Sequence, residues 1–538
     1  MTAGRDRPAG VTPVQVSQEE RGDLGDLLDL VRLAARREPG KAALIFEDGV
    51  EVTRETLWRE IEGFAGYLSS RVDPKDRVAI LMSNRAEFMI TWLAVVASRG
   101  VLVSLNPAMR SHDAGHVLRD SAARLIVTEP AYAQLLRTLQ PECPALEEII
   151  VIGPDEPHGL ASFGRTWAAF RPAEAGFDIT NVYYTSGTTG PPKGCLVGHD
   201  YWLRFVTVIT DLYQITSRDR MLCCLQFFYN DPPWQLLVAL ANDTSLVVMR
   251  RFSVSRYWQV VREHQVTILF GIASTASLLL KAPADRRDRE HQVRLAIQVG
   301  IPALLHEQLV QRWGIPWVEA YGLTETGPLV AMPVEHASRM MGSSSIGLPC
   351  PGAEVRIVNE AGEELPAGRV GELIVRAPGL FRGYLNRPDA TEETLRGGWL
   401  HTGDLATADD AGFLYFRGRI KDIIRRSGEN IAAAEVENVL RSHPGVLEVA
   451  AVPVPDLLRG EEVKIHVLLA ESQTSESVPP RELIAYGEAQ LARYKVPRYV
   501  EYRAVDFDRT PSMRVKKDNL DRSGDPGRVW DREVELGW

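Results

Sequence analysis

Cysteine is scarce in this chain and follows no pattern. Five cysteines are spread over 538 residues, at Cys143, Cys195, Cys223, Cys224 and Cys350. An odd set without metal-ligand spacing argues against a disulfide framework or a zinc site, and for reduced thiols in a cytoplasmic protein. A long apolar run is also missing. The most hydrophobic stretch, 88–105, is broken by Arg99-Gly100, which fits a buried helix followed by a strand rather than a membrane span. Residues 1–18 contain Arg5 and Arg7 but no apolar segment, so they read as a disordered lead-in and not as a secretory signal. Nor is positive charge in excess. Sixty-one lysines and arginines stand against 71 acidic residues, a formal charge of -10, which argues against a nucleic-acid binder. No internal repeat is present.

What remains is the composition of an ordinary globular protein, 45% hydrophobic and 25% charged, but too long for one simple core. From about Leu24 to Val151 helix and strand patterns alternate. Ala43 to Phe46 is a short apolar strand, and Thr53 opens a helix whose apolar residues Leu57, Ile61, Phe64 and Leu68 recur three and four apart. Arg77 to Leu81 is a strand, Glu87 to Ser98 a helix, and Val101 to Leu105 a strand. Such alternation predicts parallel sheets covered by helices.

The densest chemistry lies at Thr185-Ser186-Gly187-Thr188-Thr189-Gly190-Pro191-Pro192-Lys193-Gly194. Hydroxyls, glycine-turned backbone N–H groups and a mobile ammonium suit a polyphosphate. The spacing is neither that of a Walker A loop, which needs glycine directly before the lysine, nor a dinucleotide fingerprint. It resembles the phosphate loop of the adenylate-forming superfamily, which includes acyl-CoA ligases, luciferases and the adenylation domains of peptide synthetases.

Further motifs follow in that family's order. Gly300-Ile301-Pro302 is a loose match to the turn that approaches adenine. Glu319-Ala320-Tyr321-Gly322-Leu323-Thr324-Glu325-Thr326 is a strong match. The resemblance implies that Tyr321 stacks on adenine, Thr324 bonds the α-phosphate and Glu325 helps hold Mg²⁺, a cation that prefers carboxylate and phosphate oxygens. Asp404 matches the ribose-binding carboxylate, Arg419 a ribose or phosphate contact and Lys421 the hinge. Phe228, Tyr229, Trp234, Gly271, Ala273 and Ser274 fall where the family lines its acyl pocket. Tyr229 stands at the position of a gating histidine, and the small residues after Gly271 suggest room for a bulky apolar acid. Ser427-Gly428-Glu429 resembles the loop beside the pantetheine arm of coenzyme A.

The implied fold is a large multi-subdomain α/β N-terminal domain, residues 19–420, followed by a small mobile α+β domain, residues 421–538. A helix is expected from Glu435 to Arg441 and a strand from Val446 to Val454. One motif departs from the family. Where the others carry a glycine and a catalytic lysine after Thr-Pro, this chain has Met513 and Arg514. A guanidinium is wider and more rigidly forked than an ammonium, and losing a placed electrostatic donor costs about 10²–10³ in rate.

The resemblance therefore implies a ligase that forms a CoA thioester through an acyl-adenylate. Arg514 points to one restricted mainly to the second half-reaction, with acyl-AMP supplied by a separate adenylating enzyme. Mg²⁺ and ATP are needed only if adenylation is retained. The alternatives are a complete acyl-CoA ligase, an enzyme that loads an external carrier protein, and a non-catalytic acyl- or nucleotide-binding relative. Neither a nucleic acid nor a membrane is an expected partner.

Overall fold

The computed structural model describes residues 26–153, 178–185, 192–272, 275–427, 429–509 and 515–536. Among the described residues the strands form three sheets. In the first, parallel strands Glu148–Val151, Leu125–Thr128, Arg77–Leu81, Val101–Ser104 and Ile179–Thr185 lie side by side in that order. Lys193–Gly198 closes the edge antiparallel. Two of the central strands are buried along their whole length, as expected where both faces of a parallel sheet are covered.

The second sheet changes character along its width. Ala42–Phe46, Ser245–Val248, Arg220–Cys223, Ile268–Ile272, Leu295–Val299 and Trp317–Leu323 run parallel. Beyond Trp317–Leu323 every pairing is antiparallel, through Gly327–Ala331 and Ser345–Pro349 to Leu414–Arg419 and Trp399–Ala408. The third sheet uses only residues between Ile423 and Asp531. It has its own core, in which Ile424, Val436, Leu440, Val463, Ile465 and Val467 are all fully buried. A large N-terminal α/β domain and a small C-terminal α+β domain result. The last strand of the second sheet ends at Arg419 and the first strand of the third begins at Ile423, with a short 3₁₀ turn between them.

Local signals account for the elements they specify. Thr53 caps the helix Arg54–Leu68 by accepting the Thr56 N–H at 3.1 Å. Leu57, Ile61, Phe64 and Leu68 form its fully buried face. The helix Ala86–Ala97 and the strand Val101–Ser104 reproduce the reading of the apolar stretch within a residue or two. The C-terminal helix runs Ala433–Arg441 and the strand after it Val446–Asp456. Among the described residues no helix is long and apolar enough to cross a membrane.

A buried ion pair not signalled by any motif ties one helix to the second sheet. Arg54, 1% exposed, donates to Asp243 at 2.7 Å and to the Thr244 carbonyl at 3.2 Å. This locks the first long helix to the turn before Ser245–Val248. Removing one partner of such a pair strands a buried charge. Arg54→Ala is therefore expected to lower stability by about 3 kcal/mol, read as an earlier first transition in urea. An unchanged midpoint would show that Arg37, 3.9 Å from Asp243, compensates fully.

Candidate active site

Thr185 and Lys193 stand at the mouth of a hairpin. Thr185 ends one strand and pairs with Lys193, which begins the next. Ser186, Gly187, Thr188 and Thr189 lie outside the described residues. Three backbone hydrogen bonds strap the segment 382–385 onto this second strand. Leu196 donates to Gly383, Arg382 to Leu196, and Leu385 to Gly194, at 2.7 to 3.0 Å. The strap carries Tyr384, whose ring lies 5.2 Å below the Lys193 ammonium and whose hydroxyl donates to Glu325 Oε1 at 2.7 Å. Burial, and then the Glu325 charge, push the phenol's pKa far above its usual value. It therefore acts as a hydrogen-bond donor that orients the carboxylate. Sequence reasoning missed Tyr384, and only the Gly383-Tyr384 step in a loop hinted at it.

Thr324 and Glu325 occupy the turn between Trp317–Leu323 and Gly327–Ala331 and remain half-exposed. The buried Thr326 makes the turn, accepting the Leu323 N–H at 2.9 Å. Among the described residues no cluster of three or more His, Cys, Asp or Glu side chains could hold a metal. One carboxylate beside a phosphate loop is nevertheless the usual protein share of a Mg²⁺ site completed by substrate phosphates and water. The donor set fits that ion.

Tyr321 follows Ala320 and precedes Gly322 in the same strand. Its hydroxyl donates to Asp404 Oδ2 at 2.7 Å. Asp404 is 1% exposed and pairs across the sheet with Arg419. The Arg419 Nε lies 3.0 Å from Oδ1, yet off the line of a hydrogen bond, so this oxygen is charge-compensated but has no donor. A buried carboxylate oxygen awaiting a donor is what a ribose hydroxyl would satisfy.

Gly300 and Ile301 are held by the first residue of the Tyr321 motif, to which the resemblance assigns no role. Glu319, on the strand of Tyr321, accepts the Gly300 N–H at 2.5 Å and the Ile301 N–H at 2.6 Å, one on each oxygen. Gly300 turns there with φ +84°, and Pro302 then opens the helix Ala303–Trp313. Burial raises the Glu319 carboxyl to about 8, against the pull of its backbone donors.

The acyl-side residues come together on neighbouring elements. Phe228 and Tyr229 are in ring contact at 4.0 Å. Their turn is clamped by buried Asn84, which donates to the Leu225 and Met249 carbonyls and accepts the Phe227 N–H at 2.8 Å. Trp234, in the helix Asp231–Ala241, stacks on Phe205 at 5.3 Å and meets Phe270 edge-on at 5.0 Å. Gly271 lies beside Phe270, and a Cβ there would run into the Gln298 side chain. Ala273 and Ser274 lie outside the described residues.

On the C-terminal domain Lys421 is exposed in the 3₁₀ turn Ile420–Asp422. Ser427 turns a hairpin with φ +53° and donates its N–H to Arg459 at 2.7 Å, with Glu429 exposed beyond it. Gly428 and Arg514 lie outside the described residues. The chain around Arg514 is pinned on both sides. Arg509 and Val515 form a bridge, and the Lys516 N–H donates to Asp508 at 2.7 Å. Lys517 is engaged elsewhere, 2.7 Å from Glu437 and 3.7 Å from Asp422. Facing this domain from the large one, Lys281 donates to the carbonyls of Arg441 and Val446.

Comparison with known proteins places these features in context. The model of the AMP-binding enzyme family matches residues 31–385, and that of the AMP-binding enzyme C-terminal domain matches 435–514. A crotonobetaine/carnitine–CoA ligase of Citrobacter koseri is 30% identical over 504 residues, 89% of this chain and 96% of the relative. The o-succinylbenzoate CoA synthetase of Bacillus subtilis, solved with its acyl-adenylate intermediate, is 27% identical with a TM-score of 0.78, over 91% of this chain and 97% of that one. ATP-bound MatB from Rhodopseudomonas palustris is 26% identical with a TM-score of 0.81, over the same shares.

Two measurements probe this geometry. Asp404→Asn keeps the shape but removes the charge opposite Arg419, and AMP affinity by calorimetry is expected to fall roughly 10- to 100-fold. For Glu319 the folded pKa of about 8 exceeds the ordinary 4.5. Its proton then stabilises the fold fully below the lower value, and that contribution is lost as pH rises through the upper one. The Tm advantage of the wild type over Glu319→Gln is expected to shrink from about pH 5 to about pH 8.5. An advantage that grew with pH would mean that the two backbone donors outweigh burial.

Proposed function

Since the chain belongs to the AMP-binding enzyme family, in its acyl-CoA ligase branch, we propose that it works mainly on the second half of that reaction. It takes a preformed acyl-adenylate and transfers the acyl group to coenzyme A. The thiolate sulfur attacks the acyl carbonyl carbon, the bond from that carbon to the phosphate oxygen breaks, and AMP leaves as an anion. The thiol proton goes to solvent.

The observation that carries this reading is the pinned register around Arg514. The Arg509–Val515 bridge and the Lys516–Asp508 bond oppose a slip that would bring Lys516 to the family's lysine position. Lys517 is occupied by Glu437. Arg514 is then the cation offered for adenylation, and its rigid fork is a poor substitute for a compact ammonium bridging carboxylate and α-phosphate. A separate enzyme would supply the acyl-AMP.

The remaining assignments follow the same reading. Tyr321 and the Gly300–Pro302 turn receive adenine, and Asp404 with Arg419 receives the ribose. Thr324 meets the α-phosphate, and the loop from Thr185 to Lys193 meets the phosphates. Phe228, Tyr229, Trp234, Gly271, Ala273 and Ser274 bound the pocket of a bulky acid. We place the hinge at Lys421 and the pantetheine contact at Ser427, Gly428 and Glu429, the chain dividing into residues 19–420 and 421–538. A bound Mg²⁺ at Glu325 would neutralise phosphate charge.

A second reading, a complete ATP-dependent ligase, is favoured by the grouping of Lys193, Tyr384 and Glu325, which serves a triphosphate and its metal. The two readings separate in one experiment. CoA thioester formation is followed from synthetic acyl-adenylates and, in parallel, from the same acids with MgATP, for the wild type and Arg514→Lys. The expected result is thioester from adenylates at least about 100-fold faster than from ATP, with pyrophosphate release gained in the variant. Equal rates by both routes in the wild type would establish the complete ligase. Acceptance of a carrier protein's thiol in place of CoA would redirect the assignment to carrier loading, and tight acyl-AMP binding without transfer to any thiol to a binding protein.

A further inference from the structure

The strand Trp399–Ala408 loses its regularity where it carries Asp404. Against Gly371–Arg376 the pairing steps from Leu405 opposite Glu372 to His401 opposite Ile374. Thr402, Gly403 and Asp404 together therefore face Leu373 alone. This is a β-bulge, which re-aims a side chain and gives up ladder hydrogen bonds to do so. Gly403 permits it with φ +67°. The bulged segment turns Asp404 toward Tyr321 and Arg419.

Two side chains take over the hydrogen bonds that the ladder gives up. Thr402 Oγ1 donates to the Leu373 carbonyl at 2.6 Å and accepts the Asp404 N–H at 3.1 Å. Glu372, on the neighbouring strand, accepts the Gly403 N–H on Oε1 at 3.1 Å. Its Oε2 lies 2.8 Å from His401 Nδ1 and 3.5 Å from Arg396 Nη2. One half-buried carboxylate thus grips the strand both before the bulge and inside it. A charged acceptor holds an N–H about twice as strongly as a neutral one. Without it, glycine offers the least resistance to a shift of the three bulged residues, and Asp404 moves with them. Tyr321 fixes Asp404 Oδ2 but leaves Oδ1 without a donor. The direction of that second oxygen then depends on the backbone beneath it.

We infer that Glu372 is a positioning residue for the ribose, holding the bulge that presents Asp404 Oδ1 and acting through Asp404 rather than on the nucleotide. The inference rests on the reading above, in which Asp404 and Arg419 receive the ribose. It separates from a merely stabilising contact in one respect. Loss of Glu372 removes only the share of nucleotide affinity that comes from the ribose hydroxyls.

The test compares AMP with dideoxy-AMP, which lacks both ribose hydroxyls, binding to the full-length protein by calorimetry. The wild type is expected to prefer AMP roughly 100-fold, the worth of hydrogen bonds to a charged group. Glu372→Ala should bring the two ligands within about fivefold, weakening AMP and leaving the dideoxy analogue unchanged. Glu372→Asp keeps the charge but withdraws it by one methylene, and should lose most of the preference as well. Glu372→Gln keeps an acceptor for the Gly403 N–H and should stay within about threefold of the wild type. An equal loss on both ligands in Glu372→Ala or Glu372→Asp, or an unaltered preference in either, would overturn the inference. Equal binding of both ligands by the wild type would overturn it together with the ribose assignment. With acyl-adenylates and CoA, Glu372→Asp should raise KM about tenfold and leave kcat within about twofold. A ribose preference abolished by Glu372→Asp, with no thioester from any adenylate, would leave Glu372 in its role and sink the acyl-transfer reading instead.

Discussion

The bond from Tyr321 to Asp404 is the joint on which the proposed nucleotide side of this structure turns. It connects two strands that are not neighbours, and the Asp404–Arg419 pairing extends the connection to a third. The parallel part of the sheet ends at Tyr321's strand, and the antiparallel part contains Asp404. A buried phenol and a buried carboxylate therefore bridge the place where the sheet changes character. Such a polar bridge is held in position because its groups have no access to bulk water as an alternative partner.

From that joint the site is built outward along backbone. Three residues beyond Tyr321 the strand gives up its regularity, and Thr324 and Glu325 face outward while Thr326 is buried to make the turn. Two residues before it, Glu319 reaches to the neighbouring strand's end and fixes Gly300 and Ile301. One seven-residue strand thus orders both the Gly300–Ile301 turn and the Glu325 carboxylate. Thr185 and Lys193 belong to a different sheet, and the strap bearing Tyr384 keeps Lys193 and Glu325 in register with one another.

Much of this was legible in the sequence, for identifiable reasons. The helix after Thr53 and the strand at Arg77–Leu81 were readable because capping and apolar periodicity are local properties. The motifs around Tyr321 and Asp404 were readable because their chemistry needs particular residue types in an unbroken order. Tyr384, Asn84 and Arg54, and the role of Glu319, were not. Each acts on a partner at least 18 residues away, and in three of the four more than 50, and nothing in the neighbouring residues marks a tyrosine or an arginine as one that will be buried and paired.

Because Gly271, Gln298, Glu319 and Asp404 belong to strands of one hydrogen-bonded sheet, the floor under the proposed acyl and nucleotide sites is a single piece. The aromatic wall instead stands on one turn and the helix that follows it. Inherited change can therefore act on the two parts separately. A lineage could exchange side chains along that helix start and come to accept a different acid while its nucleotide seat stayed fixed. The same division would let one ancestral frame give rise to enzymes with unrelated substrates, each separated from the others by a few side chains rather than by a new fold.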